Sequence, residues 1–238
     1  MEEFTYHNIF DTKGIEYLVI IGFFAILIPF WILLNRQARI NREIRKSLGH
    51  LTAAMLRVPH GLYFSKAHTW TFLERSGTAK VGLDDLLLHL TGEVQINRLK
   101  FPGDRIVKGE ALAEITNGGR TLKVLSPISG DVVEANEAIS KEPAILNDDP
   151  YGKGWIYRIR PAGWVADTQS FYLADEATRW SESELEKFRE FLGAAAAKYS
   201  NIPEGIVLQD GGELRDQPLA ELPADAWREF QQTFIRMD

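Results

Sequence analysis

Five histidines, His7, His50, His60, His68 and His89, are the first candidates for metal or acid–base chemistry. None stands at the two-histidine spacing, with carboxylate or thiolate help, that holds zinc. His68 belongs to a His-Thr-Trp run and is expected to support the fold. Asp84 and Asp85 open a helical turn, where a carboxylate caps free backbone N–H groups. Asp148 and Asp149 precede Pro-Tyr-Gly and are turn residues. No Ser-His-Asp set, Gly-rich phosphate loop or haem signature is visible. The chain has no cysteine, which excludes disulfides, thiolate-held iron–sulfur clusters and covalently attached c-type haem. The expectation is a protein that is not an enzyme and has no metal and no cofactor of its own.

The elements around these residues fall into blocks. Residues are 45% hydrophobic and 25% charged, which are globular proportions. The net charge of −6 and the lack of long basic runs argue against nucleic acid as a partner. Ile15 to Leu34 is almost wholly apolar. At about 1.5 Å per residue it would cross a hydrocarbon core of roughly 30 Å. Its N-terminal flank carries Glu2, Glu3 and Asp11 against Lys13, and no small-residue cleavage site follows, so an uncleaved anchor is expected instead of a signal peptide. Arg36, Arg39, Arg42, Arg45 and Lys46 follow the span. By the positive-inside rule they place the C-terminal part in the cytoplasm, with the N-terminus outside the inner membrane. This reading divides the chain into a tail (1–14), a transmembrane helix (15–34), a basic juxtamembrane helix (35–60), a β-rich domain (61–165) and a C-terminal extension (166–238).

The β-rich block contains a repeat. GDRIVKGEAL from Gly103 matches GDVVEANEAI from Gly130, with Ile106 against Val133, Glu110-Ala111 against Glu137-Ala138, and Leu112 against Ile139. Two copies of one unit fit two interlocked halves of a sandwich. Between them lies ALAEITNGGRTLKVLSP. Asn-Gly is among the strongest hairpin signals, so a protruding turn is expected over Asn117, Gly118, Gly119 and Arg120.

FSKAHTW (64–70), VGLDDLLLHLTGEV (81–94), FPGDRIVKGEALAEI (101–115) and SPISGDVVEANEAISKEPAILNDDPYGKGWIYRI (126–159) together resemble the glycine cleavage system H-protein, a lipoyl/biotinyl carrier. The resemblance spans roughly residues 61–165. It implies a mainly β (α+β) fold, a barrel-sandwich hybrid with flanking helices, here preceded by the N-terminal transmembrane helix. In that family the lipoyl lysine lies eight residues before the proline of the SP-x-SG stretch. Here that proline is Pro127, and the position is Gly119, which has no side chain to form an amide. Lys123, alternating with Leu122 and Val124, is the nearest lysine and should lie on the hairpin flank.

In the extension, Ser181 to Tyr199 has an apolar stripe and a Ser181–Glu184 capping box. EGIVLQDGGELR fits a short hairpin around Asp210. Pro223 opens a last helix with Trp227, Phe230, Phe234 and Ile235 on one face, which either buries against the barrel or docks onto a partner. The functional expectation is a non-catalytic accessory or scaffold subunit of a bacterial membrane complex, of respiratory or redox (electron-transport) type. Its partners would be the other subunits and the lipid bilayer, and docking would use the 117–120 tip together with Trp227, Phe230 and Phe234. Two alternatives are a lipoyl-type group carrier modified at Lys123 and a membrane adaptor of an export system.

Overall fold

The computed structural model describes residues 17–30, 50–199 and 214–237. The chain divides into two compact units, Met1–Leu48 and Gly49–Asp238. In the first, residues 17–30 form a helix, α1, with exposed apolar side chains. The tail 1–14 and the rest of the 15–34 stretch lie outside the described residues. The expected membrane span is not borne out: among the described residues no helix is long and apolar enough to cross a membrane.

The second unit is built on β-strands that pair antiparallel. One sheet carries, in spatial order, β11 (Tyr172–Leu173), β2 (Tyr63–Phe64), β3 (Thr69–Leu73), β4 (Ala79–Leu83), β10 (Trp155–Pro161), β9 (Gly130–Ala135) and β6 (Arg105–Ile106). A second carries β5 (Gln95–Arg98), β7 (Ala111–Asn117) and β8 (Arg120–Leu125). Because β11 pairs with β2, the main sheet reaches beyond residue 165. The side chains that alternate inward, among them Val81, Leu112, Ile115, Leu122, Val132 and Ile159, are all buried in one core. Fully burying each such aliphatic side chain contributes about 1.5–3 kcal/mol.

The Gly-Asp repeat becomes a strand pair. Arg105 lies opposite Asp131 and Ile106 opposite Gly130. Gly103 N–H donates to Val132 O, and Val132 N–H donates to Asp104 O, each at 2.8 Å. The second half of the repeat diverges: Ala111 begins strand β7, whereas Ala138–Lys141 is a helical turn, α3. Pro143 follows α3 and has no N–H to give a strand ladder.

Helix α2 (Asp85–Thr91) starts where the carboxylates predicted it. The Asp84 side chain accepts from Leu87 N–H at 2.8 Å. The stretch 50–60, expected as helix, is instead β1 (His50–Leu51), a 3₁₀ turn at Ala53–Met55 and an irregular run toward Pro59. Proline disfavours helix at the residue before it. The 35–49 part lies outside the described residues. So does most of the expected hairpin around Asp210. Its last strand, β12 (Leu214–Arg215), pairs with β1, so the extension returns to the residues that precede the barrel.

Two short helices, α4 (Ile145–Asp148) and α5 (Trp164–Thr168), precede the long α6 (Ala174–Lys198). Helix α6 starts seven residues before Ser181, so Ser181 and Glu184 do not form its capping box. Ala177 and Trp180 are buried against Leu62, Phe64 and Trp70, and this packing extends the helix N-terminally. The last helix, α7 (Ala224–Phe234), follows Pro223 as expected. Trp227, Phe230 and Phe234 are 1%, 0% and 5% exposed, which corrects their assignment to a docking surface. They pack on the barrel core and on α6, where Phe188 meets the Phe230 ring edge-on at 5.8 Å.

Candidate functional site

The hairpin β7–β8 is made by two alternating strands and a two-residue turn. Leu122 and Val124 point into the core, while Thr121 and Lys123 are exposed. Asn117 pairs with Arg120, and the turn residues Gly118 and Gly119 have φ of 56° and 80°. Two successive positive φ angles define the type I′ turn, whose twist matches that of the flanking strands. The turn is centred one residue later than an Asn-Gly pair would place it. Asn117 belongs to the strand, and its Nδ2 donates to Thr91 O at 2.8 Å, tying the tip to the end of α2. Gly118 and Gly119 are exposed and Arg120 is half-buried.

Lys123 stands four residues from Gly119, opposite Glu114 in the β7 register. Its backbone is held from outside the sheet: its N–H donates to Gln231 Oε1 at 2.6 Å, and Gln231 Nε2 donates to its carbonyl at 3.4 Å. Gln231 lies on α7, which is fixed by the Phe188–Phe230–Phe234 cluster. It is also tied to α6 by Lys198 and Tyr199, whose side chains both bond Glu229. Sequence reasoning missed Gln231, because no local signal links residues 108 apart.

Two part-buried networks hold α2. Asp85, expected as a helix cap, accepts Arg57 Nε and Arg57 N–H at 2.8 Å each, while the Tyr151 hydroxyl accepts from Asp85 N–H at 2.9 Å. Burial pushes the Tyr151 hydroxyl pKa well up, with the nearby Asp84 and Asp85 charges adding to it. His89 bridges to Asp216 at 2.8 Å, fastening the extension to α2. Asp149 accepts from Gly152 and Lys153 N–H groups, the turn role read from its Pro-Tyr-Gly context.

His68 is fully buried, in a left-handed turn at φ 57°, with Nδ1 2.8 Å from Asp84 Oδ2 and its ring against Trp180. Burial by itself lowers its pKa. The Asp84 charge and hydrogen bond, then Glu184, raise it against the opposing Lys187, and the net value lies above 6.5. The folded protein therefore holds this proton more tightly than the unfolded chain. The stabilisation is fully present below the unfolded pKa of about 6.5 and is lost as pH rises through the raised folded value. Urea midpoints should fall through that window in the wild type, and His68→Gln should remove that part of the slope. Superimposable profiles would contradict the assignment.

The model of the glycine cleavage H-protein family matches residues 62–184, just over half of the chain. The chain belongs to the glycine cleavage H-protein family. A glycine cleavage system H protein from Psychrobacter cryohalolentis is 37% identical over 122 residues, 51% of this chain and 96% of that protein. A probable glycine cleavage system H protein from Pyrococcus abyssi is 37% identical over 127 residues, 53% of this chain and 94% of that one. The crystal structure of a glycine cleavage system H protein from Mycobacterium marinum is 26% identical, covering 44% of this chain and 87% of that one, with a TM-score of 0.42.

This membership corrects the functional expectation. H-protein relatives are matched over nearly their whole length and carry the name of the glycine cleavage system. That overturns the reading as an accessory subunit of a respiratory or redox membrane complex, and electron transport falls with it. The inner-membrane, single-pass placement is overturned by the same relatives and by the lack, among the described residues, of a helix able to span a bilayer. The H-protein family favours the group-carrier alternative.

Proposed function

We propose that this chain is a group carrier of the H-protein kind, working in a glycine-cleavage-type system, with Lys123 as the residue that bears a lipoyl-type group. The observation that carries the reading is the placement of Lys123. It is the one lysine of the β7–β8 hairpin, its side chain is exposed, and its ammonium has no hydrogen bond or ion pair among the described residues. An amine so placed can form an amide without breaking an existing contact. At Gly119, where the family resemblance puts the lipoyl lysine, no amide can form.

When bound, the lipoyl group supplies a dithiolane that accepts and releases an aminomethyl or acyl unit. The chain's own part is to hold the amine at a fixed place on a rigid hairpin. Four residues of extended strand move the root of the arm by roughly 13 Å from the tip, so partner enzymes must accept the hairpin flank. Incubating the full chain with lipoate, ATP and a lipoate–protein ligase should add one lipoyl amide, and Lys123→Arg should abolish the addition while leaving the melting temperature unchanged. An unaltered mass for the wild-type chain, or attachment that survives Lys123→Arg, would overturn the proposal.

A further inference from the structure

We infer that Gln231 is a positioning residue for Lys123: its side-chain amide stands in for a neighbouring strand and fixes the edge from which the lysine is presented. The inference rests on the carrier reading of Lys123. Strand β8 is the outer strand of its sheet. Asn117 and Arg120 close the turn as a pair, and hydrogen-bonding alternates along an antiparallel ladder. Thr121 and Lys123 therefore turn their backbone N–H and C=O groups away from β7, toward the open edge. At Lys123 both groups meet one side chain, with Gln231 Oε1 accepting the N–H at 2.6 Å and Gln231 Nε2 facing the carbonyl at 3.4 Å. A primary amide has the donor and acceptor of a peptide unit, so it satisfies the edge as a strand would.

The consequence is specific to a lysine on a strand flank. A residue at a turn tip is placed by the turn, whereas a residue on an edge strand is free to twist and fray with that edge. Helix α7, which lies beyond the region matched by the family model, supplies the missing constraint at the residue that would need it. The clamp touches only the backbone and leaves the Lys123 side chain exposed.

Attachment joins Lys123 Nζ to the carboxyl carbon of lipoate activated as its adenylate. The C–N amide bond forms, the acyl–phosphate bond breaks, AMP leaves, and one proton passes to water; no redox change occurs. An amine displaced by even 1 Å can lose such a reaction up to a hundredfold.

The test uses the full chain with a lipoate–protein ligase, lipoate and ATP. Its readouts are the attachment rate, split into kcat and KM, and hydrogen exchange of the Lys123 amide. Gln231→Ala should speed that exchange and lower kcat/KM for attachment by roughly tenfold or more, with the melting curve retained. Gln231→Glu keeps the acceptor for the shorter bond and should restore most of both. A modified wild type whose attachment rate is unchanged by Gln231→Ala overturns this inference alone. A wild-type chain that is never modified overturns the carrier reading and this inference with it.

Discussion

Replacing Gly130 with alanine is expected to destabilise the barrel by more than about 4 kcal/mol, the range reserved for severe core damage. Gly130 lies between two strands, opposite Pro161 on β10 and Ile106 on β6. A Cβ there would stand 2.1 Å from the Arg160 carbonyl oxygen and 2.9 Å from its carbon. Both are backbone atoms of the central sheet, so nothing flexible can move aside, and relief requires parting β9 from β10. Gly163→Ala is the control, since a Cβ there meets nothing within 4 Å, and it should fall within about 0.5 kcal/mol of the wild type. Urea denaturation of the two variants separates the cases. Equal midpoints would mean that the Gly-Asp repeat does not owe its glycine to this contact.

The second large effect is a gain. Placing a lysine at the turn, Gly119→Lys in the Lys123→Arg background, should restore attachment of one lipoyl group to the hairpin. A Cβ at Gly119 would meet nothing within 4 Å, and the position is exposed. Its φ of 80° makes a non-glycine residue cost about 1–3 kcal/mol, which the well-paired strands on either side should tolerate. The rescued amine would stand on the two-residue turn, where the family resemblance puts the lipoyl lysine. A folded double variant that a ligase leaves unmodified would show that the tip of this hairpin no longer presents a substrate.

Much of the fold was legible because local chemistry and global packing agree. The Gly-Asp starts of the two repeat copies, the turn over Asn117 to Arg120, the Asp84 cap and the alternation of Leu122, Lys123 and Val124 all state in sequence what the structure does in space. The function is less legible, because two local signals point in different directions. The apolar run 15–34 carries the local signature of a membrane span, whereas the stretches between residues 64 and 159 carry that of the H-protein family. Long-range pairs were not legible at all. Arg57 meets Asp85 across 28 residues and Gln231 meets Lys123 across 108, and no local pattern marks either pair. An apolar stripe such as Trp227, Phe230 and Phe234 says that a face is covered, but not by what. The start of α6 is not legible for a related reason: Ser181 and Glu184 fit a cap locally, and the burial of Trp180 in the Phe64–Trp70 cluster outweighs it.

The intact mass of the chain purified from its native host, followed by mapping of the hairpin peptide, tests the carrier reading most directly. It should show one lipoyl amide, located on Lys123. A chain at its unmodified mass, in cells whose other lipoyl proteins are fully loaded, would contradict it.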